Sequence, residues 1–321
     1  MDAIFGRRGS WQRAASRARW IALLTAALGA CFSDAKPPGM DVSGQVSIAD
    51  GPPFTIVRGD SLWTGSKGVT LVPGDIVETG PDAFVVIETR EGDLIGIGPS
   101  SQVYFRGRTD VTTLVVLKGW LKADVRAKGK PGAVRAIGTR LGIQAQEAVV
   151  VLNAGERSDA IFDEQGSAVL VLHDHSVTRV DKETRPNQFF NREDRAAVVL
   201  QPHPPADFVT QMPIAFRDAL PEKASDRKPA EPKLVRKVTY DDIQSWLTMP
   251  RDWRDGFIGR FRGRLRDPAF FSAMDAHLAA HPEWIPILHP PRDRDRRLNS
   301  SPPDAGSTTF FPDTAPDGTR Y

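Results

Sequence analysis

Residues 69–105, VTLVPGDIVETGPDAFVVIETREGDLIGIGPSSQVYF, decide the fold class of this chain. Short apolar runs alternate there with four glycine-containing corners, Pro73-Gly74-Asp75, Gly80-Pro81-Asp82, Glu91-Gly92-Asp93 and Gly98-Pro99-Ser100. Glycine adopts a positive φ without steric cost, and aspartate can bond the turning backbone, so such corners favour tight turns. The stretch therefore predicts short strands joined by tight turns in a mainly β fold.

The strand pattern continues beyond this stretch. Apolar residues of 121–126 alternate with Lys122, Asp124 and Arg126, which predicts a half-buried strand whose charged side chains face away from the core. Residues 149–152 are all apolar, which suits a strand covered on both faces. Because no fixed repeat period is present, we expect a two-layer β-roll or an irregular, solenoid-like arrangement.

Five motifs in this region together resemble the FecR domain, a periplasmic domain named after the ferric-citrate regulator of Gram-negative bacteria. They are Gly74-Asp75-x-Val77-x-Thr79-Gly80, Glu91-Gly92-Asp93-Leu94, Gly98-Pro99-Ser100-Ser101-x-Val103, Leu117-Lys118-Gly119-x-Leu121 and Ile137-Gly138-Thr139. Each motif is weak alone, but their order and spacing fit the family together. The resemblance implies a non-enzymatic β domain outside the cytoplasm that serves signalling or protein contacts.

The N-terminus has the pattern of an exported bacterial lipoprotein. Five arginines precede the apolar run 20–28, which is too short to span a bilayer and is typical of a secretory signal. The run leads into Leu28-Gly29-Ala30-Cys31, which matches a lipobox. We predict a signal peptide over residues 1–30 and lipidation of Cys31. The alternative is an incidental cysteine in an ordinary signal segment.

Lipidation of Cys31 has two consequences. It is the only cysteine, so the mature chain would have no disulfide bond. Phe32 and Ser33 follow it instead of aspartate, and by the sorting pattern of such lipoproteins this predicts the periplasmic side of the outer membrane. Residues 31–45 would then be a flexible tether between the lipid and the domain.

The rest of the chain divides by composition. The sequence predicts a FecR-like β domain over 46–220, a linker over 221–237, a helical element over 238–289 and a disordered tail over 290–321. The β domain ends in a proline-rich strap, residues 189–220, which we expect to be extended and anchored by Phe208, Met212 and Phe216. The predicted linker differs from its neighbouring segments by its high content of charged residues and its three prolines.

Three aromatic residues are candidates for ligand binding. Exposed aromatic side chains could contact a glycan, and Trp63, Tyr104 and Trp120 are the residues that such a site would use. Trp63 is equally compatible with a place in the core or at its rim, because large aromatics bury most of their area in most proteins.

Histidine pairs are candidates for metal binding. His173 and His175 would point the same way on a strand, and His277 and His281 are four residues apart on a predicted helix. Neither pair has a third ligand at matching spacing, so we predict no metal site and no cofactor, and a solvated turn end around His173.

Several function classes are not expected. A net charge of +2 and a pI near 8.7 are too mild to indicate nucleic-acid binding. The chain has no nucleophile elbow, no phosphate-binding glycine loop and no complete metal signature, so we do not expect an enzyme. Only about twenty residues precede the apolar run, too few for the cytoplasmic domain with which FecR regulators hold a sigma factor, so we do not expect direct anti-sigma activity.

We therefore predict a lipid-anchored periplasmic FecR-like binding or scaffold protein, which could belong to an envelope signalling system. Its partner would be another envelope protein, and its contact with the membrane would be the N-terminal lipid. The alternative is an envelope protein that binds peptidoglycan or another glycan.

Overall fold

A computed structural model describes residues 44–108, 111–126, 133–174, 177–194, 196–222 and 228–290. As predicted, the fold is mainly β, with a few short helices in the C-terminal part. The predicted signal peptide, Cys31 and nearly all of the predicted tether and tail lie outside the described residues. Gly44 and Gln45, which the sequence assigned to the tether, already belong to the first strand.

Sixteen strands are described. They are β1 (Gly44–Asp50), β2 (Phe54–Arg58), β3 (Ser61–Gly65), β4 (Thr70–Leu71), β5 (Ile76–Glu78), β6 (Phe84–Glu88), β7 (Leu94–Ile97), β8 (Gln102–Arg108), β9 (Thr112–Val125), β10 (Val134–Ile137), β11 (Leu141–Ala154), β12 (Ser158–Asp174), β13 (Val177–Glu183), β14 (Phe189–Glu193), β15 (Val199–Gln201) and β16 (Lys233–Lys237).

The helices within these ranges are short. They are α1 (Ala206–Gln211), α2 (Ile214–Arg217), α3 (Gln244–Leu247), α4 (Arg251–Arg254), α5 (Phe257–Phe261), α6 (Pro268–Ala276) and α7 (Ile285–Leu288), with 3-10 turns at Arg262–Arg266, Leu278–Ala280 and Pro282–Trp284.

Glycine-containing corners connect the strands as the sequence predicts. Gly74, between β4 and β5, and Gly92, between β6 and β7, have φ values of +94° and +88°, which other residues adopt only with strain. At the corner that begins with Gly98, the left-handed residue is instead Ser100, with φ of +50°. The Thr79 hydroxyl donates to the Gly98 carbonyl at 2.6 Å and fixes this corner against the end of β5.

The strands form one mixed, open sheet. Its main path runs β15-β14-β12-β11-β10-β9-β8-β5-β2-β3-β16, and the other described strands branch from it. Pairings between these strands are antiparallel except for the parallel pair β9–β10. The long strand β9 links the two parts of the sheet, since its first half pairs with β8 and β10 and its second half with β7 and β11.

The sheet folds around one main core and also carries apolar residues on its outer faces. Successive side chains of a strand point to opposite faces. In β9, Leu114 and Val116 lie in the main core, whereas Val115 packs with the C-terminal helices. In β6, Val85 lies in the main core, whereas Val86 packs beneath the strap. This arrangement agrees with a two-layer roll whose outer faces are both covered.

The first part of the predicted strap forms the paired strands β14 and β15. The remainder, residues 202–220, is called the strap below and covers one part of the sheet's outer surface. Its predicted anchors Phe208, Met212 and Phe216 are all buried. The strap is not extended throughout, however, because it contains α1 and α2. Each of these helices follows directly after a proline, which is tolerated at the start of a helix but not in its interior. The high proline content therefore limits the length of the helices without excluding them.

Two charged residues of β9 are buried on the outer side of the sheet. Lys122 and Asp124 face away from the core as predicted, but they are 0% and 8% exposed. The strap covers Lys122, and Arg126 pairs with Asp124. The Lys122 ammonium donates to the Phe216 and Asp218 carbonyls at 2.8 and 2.9 Å and pairs with the Glu164 carboxylate at 2.6 Å. Lys122 thus joins the sheet to the strap.

The helical element, residues 238–289, covers another part of the sheet's outer surface. Its buried Trp246, Phe257 and Phe261 pack in one cluster with the outward-facing Val57 of β2. The predicted helical element is therefore present, as the short helices α3 to α7 joined by 3-10 turns.

One arginine joins the helical element to the sheet. The Arg260 guanidinium donates to the carbonyl oxygens of Val57, Gly59 and Gly74 at 2.7, 2.6 and 2.7 Å. Burial lowers the pKa of Arg260 to about 10. Val57 lies near the end of β2, and Gly59 and Gly74 lie in the turns that follow β2 and precede β5, so one side chain bonds three backbone carbonyls in this part of the sheet.

Candidate functional site

The strand β16 lies in the segment that the sequence predicted as a linker. It pairs with β3 in antiparallel register, with Leu234 opposite Trp63 and Lys237 opposite Ser61. All five residues of β16 are exposed. It ends the main path of the sheet, so no strand of the described ranges pairs with its other side. Residues 233–237 of the predicted linker thus form an edge strand.

A close approach at Gly68 brings the chain to this edge. The Ala230 amide donates to the Gly68 carbonyl at 3.0 Å, and Ala230 forms a parallel bridge with Val69. Gly68 has φ of +89°, and a Cβ atom there would lie 2.5 Å from the Lys228 carbonyl oxygen. Only glycine permits this contact, which holds the chain beside β3 just before β16 begins.

Two apolar side chains of β16 face solvent. Leu234 is 59% and Val235 is 52% exposed. The register shifts between Leu234 and Arg236, which leaves Val235 as the extra residue of a β-bulge. An edge strand presents backbone N–H and C=O groups to which another strand can bond. This edge therefore combines backbone hydrogen-bonding capacity with exposed apolar surface.

Ion pairs fix the C-terminal half of β16. Arg236 donates to Asp242 at 2.9 Å, and Lys237 pairs with Asp60 at 2.6 Å. The hydrogen bond from Lys237 holds the pKa of Asp60 below its usual range. Burial alone would raise the pKa of Asp242, but hydrogen bonds from Arg236 and Thr239 outweigh it and lower that pKa.

The sheet has other open edges. β15 ends the main path on the opposite side, and its Val199 and Leu200 are 51% and 45% exposed. β13 pairs only with β12 among the described strands, and its Val180 is 70% exposed. β15 has only three residues, and β13 carries a balanced mixture of acidic and basic residues. Neither has the uniform basic character of β16.

The structure does not bring the three candidate aromatics together. Trp63 is half-buried and packs against the main core. Tyr104 lies beneath the helical element, with its ring centroid 6.0 Å from that of Trp246. Trp120 lies beneath the strap, with its ring centroid 5.2 Å from that of Phe208. Each aromatic belongs to a different apolar cluster, so they do not form a platform for a ligand.

The histidines have structural contacts. His173 is 2% exposed and stacks on Trp253 with centroids 4.5 Å apart, so the predicted solvated turn end is wrong for this residue. His277 and His281 both lie against the ring of Tyr240. No cluster of three or more potential metal ligands occurs in the part of the chain that the structure describes, and His175 lies outside it.

Two buried carboxylates of β12 stabilise turns. Asp159 accepts hydrogen bonds from the backbone amides of Arg140 and Leu141, and burial raises its pKa. Asp163 accepts a hydrogen bond from the Thr184 hydroxyl, and burial raises its pKa to about 6. Each carboxylate serves a different turn, and the two do not converge on a common site.

The predicted lipidation site cannot be placed, since Cys31 lies outside the described residues. Within those residues, none of the helices combines the length and the apolar character that crossing a membrane requires.

Comparisons with known proteins give one weak similarity. No protein-family model and no curated protein matches the chain. Two crystal structures of a candidate anti-sigma factor from Parabacteroides distasonis ATCC 8503, at 1.65 and 2.50 Å resolution, are similar to it, each with a TM-score of 0.34 and 11% sequence identity. The similarity covers 42% of this chain and 62% of theirs, less than two thirds of their length. A similarity of this size does not establish a common family or function, so the FecR resemblance stays a prediction.

Proposed function

We propose that this chain is a non-catalytic binding protein of the bacterial envelope, anchored by lipid on Cys31, and that the β16 edge contacts its protein partner. The observation that carries the proposal is the open edge of β16 with the exposed side chains of Leu234 and Val235. Strand addition to an open edge is a recurrent mode of recognition, in which backbone hydrogen bonds supply affinity and side chains supply specificity.

The location and the class of partner rest on the sequence. The signal-like N-terminus and the lipobox ending at Cys31 support export and anchoring, on the periplasmic side of the outer membrane. The FecR-like motifs support a role in protein contacts, which could belong to envelope signalling. The glycan-binding alternative loses support, because Trp63, Tyr104 and Trp120 are engaged in three separate clusters.

Site-specific photo-crosslinking in cells that express the chain tests the proposed edge. We would place a photoreactive amino acid at Val235 and, as a matched control, at Val180 on the edge strand β13. Both positions are exposed valines, so nonspecific hydrophobic contacts should affect crosslinking from both of them alike. We expect a discrete crosslinked envelope protein from position 235 only. Equal products from both positions, or none from 235 while the chain pellets with purified peptidoglycan, would overturn the proposal.

Metabolic labelling with palmitate tests the anchor. The native chain should take up label and fractionate with the outer membrane, and Cys31→Ala should do neither, because Cys31 is the only thiol to which lipid could be attached. Equal labelling of the two chains would remove the lipid anchor from the account.

A further inference from the structure

We infer that β16 binds an extended, acidic segment of another protein as an additional strand. This inference rests on the proposed function and adds the chemistry of the partner segment. It follows from the charges around the edge, from the pairing that a second copy would make, and from the pattern of exposed side chains.

The edge carries an excess of positive charge. Five basic residues lie along β16 and the chain beside it, against three acidic ones; they are Lys67, Lys228, Lys233, Arg236 and Lys237, and Asp60, Glu231 and Asp242. The acids Asp60 and Asp242 already pair with the C-terminal half of the strand.

The excess charge is concentrated where β16 begins. Lys233 is opposite Thr64 in the β3 pairing, and Lys67 and Lys228 flank the contact at Gly68. All three lysines are exposed, and none of the ion pairs among the described residues includes them. Glu231 is the one acidic residue in this part of the edge, against three lysines, so an acidic segment would balance the remaining positive charge. Charge complementarity of this kind selects partners.

A second copy of this chain is a poor occupant of the edge. Antiparallel pairing of two β16 strands centred on Val235 would place Lys233 of one copy opposite Lys237 of the other. Parallel pairing in register would place each basic residue opposite itself. Like charges directly opposite each other destabilise a strand pair, and lysines on edge strands prevent self-association in natural proteins. The basic edge therefore disfavours self-pairing and favours an acidic strand.

The partner segment should alternate in character. Side chains of adjacent strands meet on both faces of the sheet. In the pairing with β3, Lys233 and Arg236 share one face of the sheet, whereas Leu234 lies on the other face, which Lys237 joins after the bulge at Val235. At the start of β16 an incoming strand therefore meets a basic residue on one face and an apolar residue on the other. Acidic residues at every second position, with apolar residues between them, match both faces of this first part of the strand.

Synthetic peptides test the inference directly. We would measure by fluorescence anisotropy the binding to the full chain of a labelled eight-residue peptide that alternates glutamate and valine. Two control peptides have the same length: one alternates lysine and valine, and the other is the acidic sequence with every backbone nitrogen methylated, so that neither of its edges can donate. We expect the acidic peptide to bind at least about tenfold more tightly than either control, since one lacks the charge and the other lacks the N–H groups.

Charge reversal locates the binding. The double variant Lys67→Glu, Lys233→Glu should weaken binding of the acidic peptide at least about tenfold, because it removes two positive charges and adds two negative ones. The matched control Arg179→Glu reverses an exposed cation on β13 and should leave affinity unchanged within about twofold. Circular dichroism and Tm equal to those of the native chain would show that each variant is folded.

Three results would overturn the inference. They are absence of binding by the acidic peptide, equal binding by the methylated peptide, and equal losses in the double variant and in Arg179→Glu. If crosslinking from position 235 still captures an envelope protein through a segment that is not acidic, the proposed function stands and only the inference about the partner fails. If position 235 captures nothing, the proposed function fails as well.

Discussion

The strap and the helical element cover separate parts of the sheet's outer surface, and one buried cation holds each cover in place. Lys122 belongs to the sheet and donates to carbonyls of the strap. Arg260 belongs to the helical element and donates to three carbonyls of the sheet. In both cases the side chain of the cation donates hydrogen bonds to backbone carbonyls of turns and irregular segments, where regular backbone pairing ends.

The two contacts differ in how their charge is balanced. Lys122 has a carboxylate partner, Glu164, at 2.6 Å. Arg260 takes part in none of the ion pairs among the described residues, and burial lowers its pKa to about 10. The strap contact thus depends on an ion pair, whereas the helical contact depends on the fork of N–H donors that only arginine provides. Both covers are therefore integral to the fold, although neither consists of strands.

Truncating one phenylalanine in each cover tests that statement most strongly. Phe216 in the strap and Phe261 in the helical element are both fully buried. We expect each change to alanine to lower the free energy of unfolding by about 3–5 kcal/mol, through lost burial and a residual cavity. Urea unfolding followed by tryptophan fluorescence and by far-UV circular dichroism should give one coincident transition for both variants. A Phe261→Ala chain with an unchanged main transition would show that the helical element unfolds independently.

Removing the lysine tests the ion-paired contact. Lys122→Met keeps the length of the side chain but leaves the Phe216 and Asp218 carbonyls without this donor and Glu164 without its counter-ion. We expect a loss of about 3 kcal/mol in the free energy of unfolding. Limited proteolysis should then cut within residues 202–220 sooner than in the native chain. Unchanged cleavage there would mean that the apolar anchors alone hold the strap.

A conservative change tests the arginine contact. Arg260→Lys keeps the positive charge, but a single ammonium cannot reach all three carbonyls of Val57, Gly59 and Gly74. We expect a loss of about 1–2 kcal/mol, measured by urea unfolding. A lysine variant as stable as the native chain would show that the positive charge, rather than the arrangement of the guanidinium N–H groups, accounts for the stability of this contact.

A change in one acid of β12 sharpens the contrast between paired and unpaired charge. Glu164 has Lys122 as its counter-ion, whereas the adjacent Asp163 has the Thr184 hydroxyl. Burial raises the pKa of Asp163 to about 6, above its ordinary 3.8. The folded state therefore binds this proton more tightly than the unfolded state, and stability falls as the pH rises through 4 to 6.

Asp163→Asn should abolish that dependence. We expect the variant to exceed the native chain at pH 7.5 by about 1 kcal/mol, allowing for solvent screening, and to lose this advantage near pH 4. Thermal unfolding of both chains across pH 4 to 8 would measure the difference. A constant difference at every pH would contradict the assignment to Asp163.

Local sequence patterns predicted the strands and corners because their causes are local. Positive φ at Gly74 and Gly92 follows from the steric freedom of glycine, and alternation along β9 follows from the strand period. The anchors of the strap could also be predicted, since Phe208 and Phe216 are large apolar residues in a polar, proline-rich segment.

The two covers and the β16 edge could not be predicted in the same way, because they depend on contacts between distant residues. In the alternating pattern of β9, Lys122 occupies a position that is typical of a solvent-facing residue. It is buried because the strap, about 95 residues later in the chain, packs over it. β16 is five residues long and follows prolines, so its composition indicated a linker, and only the pairing with β3 makes it a strand. Leu234 and Val235 between basic residues were the one signal of a strand there.

Hydrogen exchange at β16 tests the central claim of an open binding edge most directly. The amides of residues 233–237 would be followed by mass spectrometry in the full chain, with and without the acidic peptide, and residues 177–183 of β13 would serve as the internal control. We predict slower exchange in β16 upon addition of the peptide and no change in β13. Unchanged exchange in β16 at a saturating peptide concentration would contradict the claim.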